Sequence, residues 1–276
     1  MIHGGTSHRA RRGLADRSPR ARLPIAATIA LVLAITLPLT VANGQLRSGY
    51  DDAGPQTRAM QDDDTANPAF LWVRQGQTQW STPTGTSQKS CASCHGEAES
   101  SMTGVAARYP TYDAAYRRPI TLDERIEQCR VLRQGAAAED SESDSRLSLS
   151  AYVGLQSRGM PIRIDVPPTA RPHLDAGKAF FNLRQGQLNL SCAQCHDQLA
   201  GQRLGGSTIP QGHANGYPEY RLEWQGMGSL YRRLRNCLNG VRAEPLPPES
   251  AELGDLIYFL AWRGQGLRVE TPAVRP

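Results

Sequence analysis

Cys91-Ala92-Ser93-Cys94-His95 and, 101 residues further on, Cys192-Ala193-Gln194-Cys195-His196 decide how this chain folds. In a Cys-x-x-Cys-His run the two cysteines can form thioethers to one haem c. The histidine that follows is then placed as the proximal iron ligand. A zinc knuckle or a redox dithiol also uses Cys-x-x-Cys. Zinc, however, needs four ligands gathered at one point, and neither alternative calls for a histidine directly after the second cysteine, twice. The motifs predict two covalently bound haem c groups, on Cys91/Cys94 and on Cys192/Cys195, with His95 and His196 as axial ligands.

The beginning of the chain predicts export. Residues 1–22 hold Arg9, Arg11, Arg12, Arg17, Arg20 and Arg22 against one acid, Asp16, and an apolar stretch runs from Leu23 to Ala42. Pro24, Pro38 and the small residues Thr40-Val41-Ala42 read as a cleaved secretory signal (1–42) rather than a retained anchor. Arg11-Arg12 matches a twin-arginine signal poorly. The formal net charge is +5, and residues 1–22 account for it. The mature chain is therefore near neutral, which argues against nucleic-acid binding. A periplasmic protein without a stable membrane anchor is expected.

About 234 residues remain, enough for two modest domains. Internal repetition points to duplication. Arg74-Gln75-Gly76-Gln77 stands before the first motif and Arg184-Gln185-Gly186-Gln187 before the second. One spare cysteine follows each motif, Cys129 34 residues after His95 and Cys237 41 after His196. The tail 158–167 aligns without gaps to 263–272. The expected organisation is a flexible polar arm (43–66), a first cytochrome c-like domain (67–166), a proline-stiffened linker (167–172) and a second domain (173–276). The small, acidic, serine-rich stretch 135–146 reads as a surface loop. Three- and four-residue apolar spacing predicts helices over 122–132, 147–156, 229–238 and 253–263, with another at 175–183 leading into the second motif. Strand signals are weak. The fold class is mainly α: two tandem cytochrome c-like haem domains.

The sixth iron ligands are the open question. After residue 42 the other histidines are His173 and His213, and the methionines are Met60, Met102, Met160 and Met227. None recurs at equivalent places in the two halves, whereas Cys129 and Cys237 do. The symmetric assignment is His95/Cys129 on the first haem and His196/Cys237 on the second. A Cys129–Cys237 disulfide is the alternative that an oxidising compartment allows. Arg233 lies four residues before Cys237, on the same face of the helix, where a guanidinium could hold an oxyanion. Arg232 and Arg235 fall on other faces. Arg242 and Arg263 are weaker anion-binding candidates.

The chain resembles the SoxA family, the dihaem subunits of the SoxAX cytochrome complex of sulfur-oxidising bacteria. The resemblance is densest in Tyr220-Arg221-Leu222-Glu223-Trp224, in Arg233 through Cys237, in Val241 through Pro245 and in the tail from Ala261 to Arg275. It implies oxidative coupling of thiosulfate to a cysteine of the SoxY carrier (SoxYZ), with two electrons leaving through the haem of SoxX. It further implies a persulfide on Cys237, substrate contact by Arg233, and a first haem remote from the chemistry. A tetrathionate-forming thiosulfate dehydrogenase and a non-catalytic dihaem electron shuttle are the competing readings.

Overall fold

Nine α-helices and seven short strands follow one another across residues 45–276, the part of the chain that the computed structural model describes. The helices are α1 (Pro55–Asp62), α2 (Phe70–Ser81), α3 (Ala92–His95), α4 (Ala98–Ser101), α5 (Leu122–Cys129), α6 (Asp144–Leu155), α7 (Arg171–Asn182), α8 (Leu230–Gly240) and α9 (Ala251–Arg263). The strands are β1 (Thr111–Asp113), β2 (Arg118–Ile120), β3 (Arg203–Leu204), β4 (Ser207–Thr208), β5 (Glu219–Arg221), β6 (Gly226–Gly228) and β7 (Ala273–Arg275). Hydroxyl side chains start four of the helices. Thr121, Ser143, Ser229 and Ser250 each accept a bond from the backbone amide three residues on, at α5, α6, α8 and α9. At α5 the Glu124 side chain answers the Thr121 amide, closing a capping box. The expected signal segment lies outside the described residues. No helix of the described residues is long and apolar enough to cross a membrane.

The helices pack in two similar pairs, α2 on α6 and α7 on α9. Glycine makes each approach possible. A Cβ on Gly76 would stand 2.1 Å from the Ser148 carbonyl oxygen, and one on Gly177 would stand 2.0 Å from that of Asp255. Counted back from Cys91 and Cys192, these glycines hold the same position. So do Gly85 and Gly186, which sit in matching turns, with bridges Thr84–Lys89 and Gln185–Leu190. The Arg-Gln-Gly-Gln match is thus accidental: Gly76 is a helix-packing residue and Gly186 a turn residue. The tail match is also out of step, by two residues. Gly159 and Gly266, both with φ above +80°, are the partners, and their segments pair antiparallel about a local twofold axis. Gly159 N donates to Val269 O and Gly266 N to Ile162 O, while Val269 N reaches Met160 O and Ile162 N reaches Leu267 O.

The halves are not separable along the chain as expected. One core joins Phe181, Leu256, Tyr258 and Phe259 to Ala107, Tyr112 and Ile162 of the first half. The other joins Val73, Trp80, Leu147 and Tyr152 to Tyr220 and Met227 of the second. Each half therefore buries residues from the hairpin region of the other, and residues 45–276 form one compact unit. Boundaries at 166 and 173 cut through shared cores.

Three smaller expectations change. The described part of the supposed flexible arm contains α1, which packs on β7. Its acids are engaged: Asp62 accepts from the Tyr50 hydroxyl, Asp63 from Thr65, and Asp64 pairs with the distant Arg158 at 2.6 Å. Gln61 Oε1 accepts from the Val274 backbone amide at 3.0 Å, and Asn67 Nδ2 donates to Pro272 O at 2.9 Å. The expected linker is a 3₁₀ turn, Pro168–Ala170, running straight into α7, where Pro172 suits the helix start. The 135–146 stretch is anchored, and α6 begins inside it. Glu139 pairs with Arg130 at 2.6 Å, and Glu142 accepts from the hydroxyl of Ser229, the residue that caps α8.

Candidate active site

Small local bonds shape each Cys-x-x-Cys-His turn. In the first, Ser93 Oγ accepts from the Ser90 amide (3.0 Å) and Ser90 Oγ from the Ser93 amide (3.1 Å). In the second, Gln194 Oε1 accepts from the Ser191 amide (2.9 Å) and Ser191 Oγ from the Gln194 amide (3.3 Å). Both turns are helical. His95 extends its turn from Cys91, and its ring lies 5.9 Å from that of Trp80.

His196 is held more firmly. Its Nδ1 lies 2.8 Å from the carbonyl oxygen of Pro210, which can only accept, so Nδ1 carries the hydrogen and Nε2 is left to bind metal. Burial lowers its pKa, favouring the neutral imidazole that a metal needs. Arg263 braces the same loop. Its guanidinium donates to the backbone carbonyls of Gln211 and His196 and pairs with Asp197, while lying over the Phe181 ring. Arg263, a weak anion-binding candidate by sequence, is committed to positioning the His196 loop. Arg242 is an exposed residue with φ +58° in the turn packed on Gly186. His173 bonds Asp255 at 2.7 Å and faces the Arg117 carbonyl. Burial pushes His213 down to about 4, next to Arg263.

The six cysteines are all unpaired. Cys129 ends α5, and the turn after it abuts Gly85 and brings Gln134 Nε2 to 3.8 Å from Cys91 Sγ, while the turn after Cys237 on α8 abuts Gly186. As a thiol, Cys192 is pushed up to about 11, mostly by burial and further by Cys237. Cys129 and Cys237 are not bonded to each other. A π-helical turn, Arg130–Gln134, follows Cys129, whereas α8 continues as α-helix past Cys237. This turn absorbs one extra residue, so both cysteines keep the same relation to the loops that abut Gly85 and Gly186. Each Cys-x-x-Cys turn, with its histidine and a spare cysteine further along its half, is a donor set of the kind that holds haem c.

Charge separates the two sites. Arg233 makes no side-chain hydrogen bond among the described residues. Its nearest acid, Glu223, is 3.6 Å away and is already bonded to Arg221 at 2.8 Å. Arg232 lies over Trp224 at 4.3 Å and Arg235 over Tyr231 at 5.7 Å. Three guanidiniums on one helix are therefore left with free N–H donors. A separate cavity of about 200 Å³, lined by Leu122, Leu230, Leu253, Ile162 and Val269, contains none of the cysteines.

Residues 75–162 match the SoxA/TsdA cytochrome c domain. The chain is 40% identical over 229 residues to the L-cysteine S-thiosulfotransferase subunit SoxA of Pseudaminobacter salicylatoxidans, covering 83% of this chain and 80% of that one. It is 34% identical to the protein of the same name from Rhodovulum sulfidophilum, over 84% and 80% of the two chains. The crystal structure of SoxXA from P. pantotrophus superposes with a TM-score of 0.80 at 34% identity, covering 84% of this chain and 87% of that one. Family membership thus rests on most of the chain rather than on its haem motifs alone: this is a haem c protein of the SoxA family.

Proposed function

We propose that this chain is the dihaem subunit of an L-cysteine S-thiosulfotransferase that joins thiosulfate to a cysteine of the SoxYZ carrier. The carrier thiol and thiosulfate become a cysteine S-thiosulfonate, with one proton and two electrons released. The observation that carries the reading is the grouping on α8. Cys237 stands beside the Cys192–Cys195–His196 turn, and Arg233, one turn earlier, keeps its N–H donors free. Arg233 and its neighbours attract and orient the dianion. Cys237, as a persulfide, offers a polarisable sulfur for exchange. When bound, the haems supply iron that accepts electrons and hands them to a SoxX partner.

In this reading His95 with Cys129 and His196 with Cys237 would hold the irons of haems attached through Cys91/Cys94 and Cys192/Cys195. None of the four methionines after residue 42 recurs at matching places in the two halves, whereas Cys129 and Cys237 do. Duplication of one haem-binding unit accounts for the matched glycines, turns and tail ladder. Residues 1–42 act as the export signal, and the protein works in the periplasm.

Peptide mass spectrometry without reduction tests the assignment. Two haem adducts and one extra sulfur on the Cys237 peptide are expected. A Cys129–Cys237 cross-link would overturn the thiolate ligation and leave an electron-transfer cytochrome. Arg233→Ala should retain both haems and lower kcat/KM for thiosulfate roughly 10- to 100-fold, the worth of one or two charge-assisted hydrogen bonds. Unchanged kinetics would place the anion site elsewhere.

A further inference from the structure

Arg233 has a counterpart. Thr121 and Ser229 cap α5 and α8, each eight residues before its cysteine, so the helices align residue for residue. Arg125 then matches Arg233, both four residues before the thiol. Around them the charges invert. Asp123, Glu124 and Glu127 of α5 stand where α8 has Tyr231, Arg232 and Arg235. The hairpins invert too, since β1 ends in Asp113 and β5 in Arg221.

The α5 acids are internally neutralised: Asp123 pairs with Arg146, Glu124 with Arg118 at 2.7 Å, and Glu127 with Arg130 at 3.5 Å. Arg125 itself is occupied. It pairs closely with Asp113 Oδ2, and its other arm donates to Gln128 Oε1 at 3.1 Å. Exposure does not explain the difference, because Arg125 and Arg233 reach solvent equally, at 37% and 32%. Their acids do differ. Asp113 is only 10% exposed and its Oδ1 takes the amides of Ala115 (2.8 Å) and Tyr116 (3.2 Å). Glu223 is 49% exposed and stands off at 3.6 Å.

We infer that Asp113 is a built-in counter-anion that blocks the first haem half from binding thiosulfate-class dianions, and so confines anion recognition to Arg233. The inference rests on the reading of Arg233 as the anion site. A dianion approaching Arg125 meets a carboxylate that its two amide bonds prevent from swinging away. Burial pushes the Asp113 carboxyl up, yet its pKa is lowered, because those amides and Arg125 bind the charged form more strongly. Near Arg233 the half-exposed Glu223 stands off at 3.6 Å and is bonded to Arg221 instead, so it leaves the guanidinium open to an anion.

Isothermal titration of thiosulfate into the oxidised, two-haem protein tests this, with the absorption and EPR spectra of each haem followed in parallel. The wild type should bind one anion and Arg233→Ala none. Asp113→Asn keeps an oxygen for the Ala115 and Tyr116 amides while removing the charge. It should bind two anions, the second within about tenfold of the first in Kd and accompanied by a spectral change at the first haem. Adding Arg125→Ala to Asp113→Asn should return the count to one. An Asp113→Asn protein with both haems intact that still binds a single anion would overturn the inference. Binding that survives Arg233→Ala would instead sink the reading beneath it.

Discussion

Replacing Cys237 with methionine is expected to leave two haem c groups attached and to end thiosulfate-dependent modification of the carrier. Haem attachment depends on the thioethers of Cys192 and Cys195, which the substitution does not touch. Methionine is close in character as a sulfur ligand and can still face the iron. It has no proton to lose and no free valence on sulfur, so it can neither hold a persulfide nor exchange one. Removing the covalent participant should cost on the order of a thousandfold or more in turnover. Loss of the anionic thiolate should also raise the potential of that haem, since thioether ligation favours ferrous iron. The paired experiment is Cys129→Met. Its thiol ends α5, where Asp113 occupies the arginine, so turnover should fall less than about threefold while the first haem's spectrum changes. The checks are carrier mass, haem content and the two spectra. Activity within tenfold of wild type in Cys237→Met would remove the persulfide from the mechanism.

The candidate site was legible in the residues because a Cys-x-x-Cys-His run and helical spacing are local patterns. The two motifs, the recurrence of Cys129 and Cys237, and Arg233 one turn ahead of its thiol all follow from short-range counting. Arg125 obeys the same count, and aligning α5 with α8 from their cysteines would have found it. The acids around it made that helix look unlike its partner. The exchange of hairpin regions could not be read this way. Tyr220 and Met227 look equally able to cover either core, and their choice depends on the twofold arrangement of the whole unit. Glu142 was likewise hidden. An acid in a serine-rich stretch has no local signal that it will bond a helix cap 87 residues away. The Arg-Gln-Gly-Gln coincidence misled for the opposite reason, since two identical strings serve two different backbone jobs.

Gly177→Ala tests the packing that holds the second site together, and here two local rules disagree in sign. Helix propensity alone predicts a gain of about 1 kcal/mol for alanine over glycine within α7. The structure predicts a loss. The new Cβ would lie 2.0 Å from the Asp255 carbonyl oxygen, 2.6 Å from its carbon and 2.8 Å from the Phe259 Cβ. Two of those atoms are backbone, so the helices must separate rather than a side chain turn aside. Overpacking of this kind costs about 1–3 kcal/mol, occasionally more, and contact with a rigid carbonyl belongs at the upper end. A net loss of about 2 kcal/mol is expected, lowering Tm by roughly 4–8 °C in a chain of this size. Gly254→Ala is the control within the same helix pair. Its Cβ would find only the Pro119 carbonyl, at 3.9 Å, so the propensity gain of up to about 1 kcal/mol should survive. The loosening should reach function through α9, which carries Arg263 and, through it, the His196 loop. The spectrum of the second haem should therefore change before that of the first as the protein is warmed. Equal Tm values for the two alanine variants would mean that α7 and α9 are not in backbone contact at Gly177.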